Sequence, residues 1–508
     1  MPASSRSPVA APLAALVAVL AVLPVVVVVA QAVVGGAAEA VDYLWRPRIG
    51  ELLAHTGWLL LITVPCAVAL GVGAAWLVER TDLPFAGVWR TLMLAPLAVP
   101  AFVSSYAWIS WQPGLVGLRG AALVTTLAYF PFVFLPVAAL LRVLDASEED
   151  IARSLGLSPF QAFLRSVLPR LRPAISGGAL LVALHLLAEY GVLEMMRYQT
   201  FTTAILQQYA VGFSDVRGSL LASVLLVLCL VVLTLEVVAR GRRRVARLGS
   251  GTVQRAVPQQ LGRWKVPVLA GLLLVVGLAL VVPVVMVLRW LLVGTSQSGA
   301  AATDLFAVTA TTLSLAVAGG LLAVVLGLPG ALLLSRGHRL GAMVLERVTF
   351  VASALPGVVI ALALVTLAVR WAPALYQTSI LLLVAYAILF LPRAMVSLRS
   401  GLTAAPPELS DAARSLGAGG TGVLTRVVLP LAAPSVLAGF VLVALAISTE
   451  LTATLLLAPT GVDTLALAFW ASADELDYAA AAPYAAMMIA LSIPLTVVLR
   501  RQIVSDRG

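Results

Sequence analysis

"DIARSLG" at Asp150–Gly156 and "DAARSLG" at Asp411–Gly417 are one polar heptapeptide met twice in an otherwise greasy chain. Working outward from the two copies, residues 150–189 and 411–450 align without a gap and share 17 identities in 40 positions. These include Arg165/Arg426, Pro169/Pro430, Pro173/Pro434, Gly178/Gly439 and Glu189/Glu450. Upstream, an offset of 256 pairs Thr56 with Thr312, Arg80 with Arg336, Pro100 with Pro356, and "FLP" at 134–136 with 390–392. Self-similarity at a fixed period is the mark of a repeated structural unit, so the chain reads as a tandem duplication.

The 508 residues are 61% hydrophobic and 11% charged, with a mean hydropathy of +1.05. A water-soluble surface cannot be covered with so few polar groups. Runs such as "AALVAVLAVLPVVVVVA" (Ala14–Ala30) and "LLASVLLVLCLVVLTL" (Leu220–Leu235) approach bilayer-spanning length. The fold class is an all-α polytopic membrane protein; the ten-residue alternating segments of a transmembrane barrel are missing. The opening apolar run, Val9–Val34, exceeds the 7–15 residues of a signal-peptide core, so it reads as a retained first helix. Cys66 and Cys229 both lie in apolar segments and offer neither a disulfide framework nor a metal site.

Twelve spans can be laid out. Those of the first half lie near 9–34, 53–78, 91–111, 121–143, 174–194 and 217–239. Those of the second lie near 266–293, 308–335, 349–370, 376–397, 434–457 and 479–499. The third and ninth are interrupted by Pro100 and Pro356. Between Arg240 and Lys265 stand eight basic residues and no acidic one, which makes this linker cytoplasmic by the positive-inside rule. An even number of spans on either side puts both termini in the cytoplasm too, in agreement with Arg6 and with "LRRQ" (Leu499–Gln502). The last outer loop carries Asp463, Asp474, Glu475 and Asp477 with no base. Arginines beside a span serve topology and lipid contact, so no nucleic-acid partner is expected. With six spans in each half, the repeats run parallel, and a passage is expected where the halves meet.

Both heptapeptides fall between the fourth and fifth spans of their half and therefore face the cytoplasm. Ser147 followed by Asp150 has the Ser-x-x-acid look of a helix start, and Pro406–Pro407 precede the second copy where a missing N–H matters little. "IARSL" makes a short helix that Gly156 ends. Ser158–Pro159 restart a second short helix, "FQAFLRSVL", which Pro169 is expected to stop. In the second copy Gly417, Gly419 and Gly420 break the chain, and Thr421 is placed to cap "GVLTRVVL" before Pro430. Each half thus presents a helix–glycine–helix elbow of about thirty residues, far more than a simple connection between spans requires. A twofold pair of elbows points to a twofold partner beneath them.

These elbows resemble the EAA loops of permease subunits in ATP-binding-cassette importers of the type I fold. The family pattern, Glu-Ala-Ala, three residues, Gly, then a closing Leu-Pro, is met as Asp150-Ile151-Ala152…Gly156…Leu168-Pro169 and Asp411-Ala412-Ala413…Gly417…Leu429-Pro430. Asp stands for Glu in both copies, and Ile151 for the first Ala. The resemblance implies that Asp150, Ala152, Gly156, Pro169, Asp411, Ala413, Gly417 and Pro430 couple the chain to ATPase subunits, with the glycines allowing close backbone approach. It covers about residues 52–239 and 308–500. On that reading residues 1–51 are an opening span and outer loop, and 52–239 the first permease domain. Residues 240–265 are the basic linker, 266–307 a seventh span and outer loop, and 308–508 the second permease domain. The fused layout, with "LLAEYGVLEMMRYQTFTTAI" and "STELTATLLLAPTGVDTLALAFW" after the elbows, is most similar to ferric-iron permeases; fused thiamine permeases share it, and a phosphonate or other small solute stays open as cargo.

The energy source is expected elsewhere. A phosphate-cradling loop needs Gly-Lys-Ser or Gly-Lys-Thr, and the only lysine, Lys265, sits in "GRWKVP". The resemblance therefore implies two separate ATPase subunits carrying ATP and Mg²⁺, an extracytoplasmic binding protein, no cofactor on this chain, no catalysis by it, and a place in the bacterial inner membrane. A twelve-span secondary transporter is the alternative from another class. It would carry a Gly-x-x-x-Asp-Arg-x-Gly-Arg-Arg-like loop where this chain has "ERTDLPFAGVWR". An integral-membrane enzyme would want clustered histidines, whereas His55, His185 and His338 are scattered.

Glu189 and Glu450 occupy equivalent places near the outer ends of the fifth and eleventh spans. A lipid-facing carboxylate at mid-bilayer costs on the order of 2.5–3.5 kcal/mol, so such groups face protein or water. Either the pair, with Tyr190 beside the first, lines the outer mouth or gate, or each is an interfacial carboxylate, paired for instance with Arg197 or simply solvated. Met195, Met196 and His185 read as packing residues. No preformed ferric site is expected, since that would favour several hard oxygen ligands.

Overall fold

The computed structural model describes residues 10–34, 36–145, 147–212, 215–240, 257–294, 301–335, 355–404 and 407–504. Arg6, most of the basic linker (241–256), Arg336, His338, the start of the ninth span (349–354) and Pro406 lie outside them. In chain order the first half comprises α1 (Ala10–Val34), α2 (Ala37–Leu44), α3 (Pro47–Arg80), α4 (Ala86–Leu94), α5 (Ala101–Trp111), α6 (Gly117–Tyr129), α7 (Pro131–Val143) and α8 (Ser147–Ser154). It continues with α9 (Pro159–Ala162), α10 (Leu168–Ala188), α11 (Gly191–Met195), α12 (Phe201–Gly212) and α13 (Asp215–Arg240). The second half begins with α14 (Lys265–Val276), α15 (Val282–Gly294), α16 (Ala301–Ser335), α17 (Gly357–Trp371), α18 (Ser379–Ala404) and α19 (Pro407–Ser415). It ends with α20 (Gly420–Val423), α21 (Leu429–Ser448), α22 (Thr452–Leu457), α23 (Leu465–Asp474) and α24 (Tyr478–Val504).

Helices are forced on these runs because hydrocarbon offers no partner for a backbone N–H or C=O. Among the described residues nine helices are long and apolar enough to cross a membrane, and they coincide with the expected spans one, two, four to eight, ten and eleven. The third span is a bent pair: α4 with its 3₁₀ extension to Ala98, then α5, at 88° to one another. Pro100 stands at the break as the N-cap of α5. Pro356 does the same for α17, the shorter ninth span. A proline has no N–H to offer a continuing helix, so each break falls where the sequence put it. At the place expected for the twelfth span lies α24, whose described apolar part, Tyr478–Pro494, is shorter than these nine.

By internal contacts the chain forms two compact units. One holds residues 46–203, 227–298 and 472–508; the other holds 1–45, 204–226 and 299–471. The first gathers the middle helices of the first repeat together with α14, α15 and α24. Its core stacks α3, α6, α7 and α10, with Phe130, Phe134 and Leu171 fully buried. Glycine permits the tight crossings: a Cβ on Gly71 would stand 2.7 Å from Val133 Cβ, and one on Gly178 would stand 2.8 Å from Val133 Cα. The second unit gathers α16, α17, α18, α21 and α22 of the second repeat together with α1, which lies on α16 and α17. There Gly439, the repeat partner of Gly178, crosses α18 so closely that a Cβ would meet Ser397 Cβ at 2.5 Å. The matched glycine is thus a crossing point in both copies.

At the Arg80 end of α3 the first unit carries a cluster of charges. Glu79 is buried and accepts two hydrogen bonds from Arg90 (2.6 and 2.8 Å) and two from Arg142 (3.0 and 3.1 Å), tying α3, α4 and α7 together. One parallel backbone bridge, Thr81 with Gln259, is the sole strand-like pairing among the described residues.

Candidate functional site

The first elbow begins at α8. Ala152 is buried on its inner side, while Ile151, Arg153 and Leu155 point out. Gly156 ends the helix in the left-handed region, φ +88°. Its N–H reaches Arg153 O (2.9 Å) and that of Leu157 reaches Ala152 O (3.2 Å), a paired closure that satisfies two otherwise orphaned carbonyls. Ser158 and Gln161 then form a reciprocal cap: Ser158 Oγ accepts from the Gln161 N–H, and Gln161 Oε1 accepts from the Ser158 N–H.

The second elbow repeats the glycine closure but not the Ser158–Gln161 cap, since Gly419 and Gly422 stand at those places. Gly417 has φ +86°; its N–H meets Arg414 O (3.0 Å), and that of Ala418 meets Ala413 O (3.0 Å). The glycines are therefore required by conformation first. Among the described residues a Cβ on either would meet nothing within 4 Å, so no described atom fills the space beside them. Leu155 and Leu416, at equivalent positions, are 78% and 88% exposed, more so than any other apolar side chain described in their elbows.

Of the remaining residues singled out by sequence, Asp150 lies in α8 but its side chain is outside the described residues. Asp411 is exposed and bonds Arg414 of its own helix at 2.8 Å. Pro169 and Pro430 do not stop the second elbow helix. A π-turn, Phe163–Val167 or Leu424–Val428, widens the coil just before each proline, and the helix runs on into α10 or α21. Leu168 N–H bonds Phe163 O and Leu429 N–H bonds Leu424 O, five residues back. The wider turn makes room for the pyrrolidine ring within the continuing helix. Thr421 lies inside the second helix rather than before it: α20 starts at Gly420, and Gly419 O accepts the Val423 N–H.

Glu189 and Glu450 play one local role in both units. Glu189 ends α10, and its carboxylate turns forward to accept the Val192 N–H of α11 at 3.0 Å and the Tyr129 hydroxyl. Glu450 follows α21 and accepts the N–H groups of Ala453 and Thr454 and the Thr454 hydroxyl, at 2.8–3.1 Å. Tyr386 reaches the same Thr454 oxygen at 2.8 Å. Each carboxylate therefore staples the break between a long span and the short helix after it, and its partners are hydroxyls and amides rather than Arg197. Tyr190 sits between, as the N-cap of α11. Thr454, one turn after Glu450, was within reach of sequence reasoning; Tyr129 and Tyr386 are distant in sequence and left no signal. Among the described residues no group of three or more His, Cys, Asp or Glu could hold a metal.

This geometry yields an expected result. Glu450→Ala leaves two amides without their acceptor and lowers stability by about 1–2 kcal/mol, as loss of a cap does, while Glu450→Gln, which still presents an oxygen, loses less. Thermal melting of the purified chain in detergent checks the order Ala below Gln below wild type.

An all-helical membrane chain of two repeats, each projecting one elbow between its fourth and fifth spans, is built as a transport subunit of the type I importer fold. The chain belongs to the family of binding-protein-dependent transport system inner membrane components, whose pattern matches twice, at residues 67–247 and 319–503. It is 35% identical to the Fe(3+)-transport system permease protein FbpB 2 of Haemophilus influenzae, over 92% of each chain. It is 25% identical to the sulfate transport system permease protein CysW of Escherichia coli over 40% of this chain and 76% of that one. A sulfate permease of Chlamydomonas reinhardtii is 25% identical over 35% of this chain and 54% of its own. The chain is a fused, two-repeat membrane permease that works with an ATPase and a substrate-binding protein.

Proposed function

We propose that this permease imports ferric iron across the inner membrane of a bacterium, each elbow seated in one of two ATPase subunits. The paired elbows carry the reading: the same left-handed glycine, the same closure and the same exposed leucine stand at matching places, as two copies of one partner require. Leu155 and Leu416 enter apolar grooves, and Asp150, Ala152, Asp411 and Ala413 set the helix that docks; the π-turns at Pro169 and Pro430 join each docking helix rigidly to its span. ATP and Mg²⁺ are held on the partners, and this chain carries no cofactor and performs no catalysis. The resemblance to an Fe(3+) permease along nearly the whole of both chains supports iron over sulfate, where the likeness is confined to part of the chain. A binding protein selects the cargo outside. Glu189, Tyr190 and Glu450 hold the turns that border its way in.

Uptake into proteoliposomes holding this chain and its ATPase, offered binding protein loaded with radioactive ferric iron or sulfate, tests the cargo; sulfate uptake without iron uptake would overturn it. The orientation has its own expected result. Reporter fusions at Gly251 and Gly508 report cytoplasm and one at Asp474 reports the outside, and a reversed signal at any of them removes the assignment. If the two carboxylates border the passage, Glu189→Gln with Glu450→Gln lowers uptake per folded transporter, and unchanged uptake makes them scaffold only.

A further inference from the structure

The two elbows are alike in backbone but not in what holds them. On the inner side of α8, Glu149 is buried; its Oε1 accepts the Gln259 side-chain amide at 2.7 Å, and its Oε2 lies 3.8 Å from Arg80 Nη1. Arg80, the last residue of α3, also donates to Leu144 O at 3.2 Å. Gln259 belongs to the segment that joins the two repeats, and it is fastened on both sides. Its N–H donates to Arg80 O (2.9 Å) and its C=O accepts from the Asp82 N–H (3.0 Å). Beyond it, Asp82 Oδ1 accepts the Leu261 N–H and Oδ2 the Lys265 ammonium, both at 2.9 Å. The Leu261 N–H, and after it Lys265, hold the Asp82 carboxyl below the usual carboxylate range. The stability this gives is therefore complete at neutral pH and is lost only as pH falls through that lowered value. In the second elbow the place of Glu149 is taken by Ser410, which has no carboxylate to offer.

We propose that Glu149 and the end of the inter-repeat segment, Gln259–Lys265, form a latch that makes the first elbow one body with α3, a latch whose carboxylate the second elbow lacks because Ser410 stands in its place. Glu149 is a positioning residue. It touches neither cargo nor nucleotide, and it fixes the angle at which α8 meets its ATPase by tying that helix to Arg80 and Gln259. A push on the first elbow then moves α3 and the segment together, whereas the second elbow has no Glu149 to carry a push in that way. Transmission through the two elbows is unequal, and equal substitutions in them have unequal effects. The inference rests on the elbows being the ATPase contacts.

The test uses the full chain assembled with its ATPase partner in lipid nanodiscs, read by amide hydrogen exchange and by ATP hydrolysed per iron imported. In the wild type, α8 amides exchange more slowly than those of α19. Gln259→Ala and Glu149→Gln each speed exchange in α8 by about tenfold, the loss expected for one hydrogen bond to a charged group, and leave α19 alone. Both raise the ATP hydrolysed per iron. Exchanging the partners, Arg80→Glu with Glu149→Arg, restores part of the protection that either single change removes. Unchanged α8 exchange in both variants overturns the latch, and so does faster exchange with an unchanged ATP-to-iron ratio. A wild-type assembly that shows no ATP-driven uptake indicts the transport reading instead, and that outcome is visible before any variant is made.

Discussion

Gly156→Leu combined with Gly417→Leu abolishes most ATP-driven uptake while the chain still inserts and folds its spans. Both glycines have φ near +87°, a region where a side chain costs roughly 1–2 kcal/mol per residue. Each closure also satisfies two carbonyls, so a leucine that refuses the conformation frees the end of α8 or α19 as well. Acting on both elbows, the loss in docked elbow population is on the order of thirtyfold or more, since each 1.4 kcal/mol is a factor of ten. Asparagine separates the two reasons for a glycine, because it tolerates the left-handed region yet has a side chain. Uptake retained in Gly156→Asn with Gly417→Asn assigns the requirement to conformation. Uptake lost there as well assigns it to the open space beside the glycine, which a partner's backbone would fill. Full uptake in the double leucine variant would remove the elbows from coupling.

Glu79→Ala gives the largest loss of stability expected from any single change in the first unit. The carboxylate is buried and receives four hydrogen bonds from Arg90 and Arg142, both mostly covered. Removing one member of a buried ionic set leaves the others desolvated without compensation, at about 3–5 kcal/mol. Thermal inactivation in detergent measures it: Glu79→Ala falls furthest, Glu79→Gln less. Replacing Glu79, Arg90 and Arg142 together by Met recovers much of the loss, because an apolar set of similar volume leaves no stranded charge. Equal melting of Glu79→Ala and wild type would show that the three side chains are solvated in the folded protein.

Much of this molecule is legible in its sequence, and the unread part has a common cause. Hydropathy places the spans because a bilayer admits few alternatives, and Pro100 and Pro356 mark breaks because a proline cannot continue a helix. The heptapeptide reveals the elbows because two copies of one sequence must do one thing. Pro169 misleads for a physical reason: a proline stops an α-helix, but a π-turn one residue earlier accommodates it, and local sequence does not announce the wider turn. The carboxylates of Glu189 and Glu450 are conspicuous in an apolar run, whereas their partners are not. Tyr129 is 60 residues from Glu189 and Gln259 is 110 from Glu149, and nothing in a single chain says which distant polar groups meet.

The exchange of spans between the two units puts the finished structure on a timetable. The helix α1 is made well before its neighbours α16 and α17, the nearer of which begins some 270 residues after it ends. At about 5–20 residues per second that is a wait of roughly 15–50 s. The middle helices of the first repeat wait longer still, for α24 at the far end of the chain. During synthesis each early helix must therefore survive alone in lipid, which α1 can do because it is apolar on every side and carries no charge. Neither unit can close before most of the chain has been made. A ribosome that stalls in the second half leaves the first half built but uncovered, open to the insertion and quality-control machinery of the membrane.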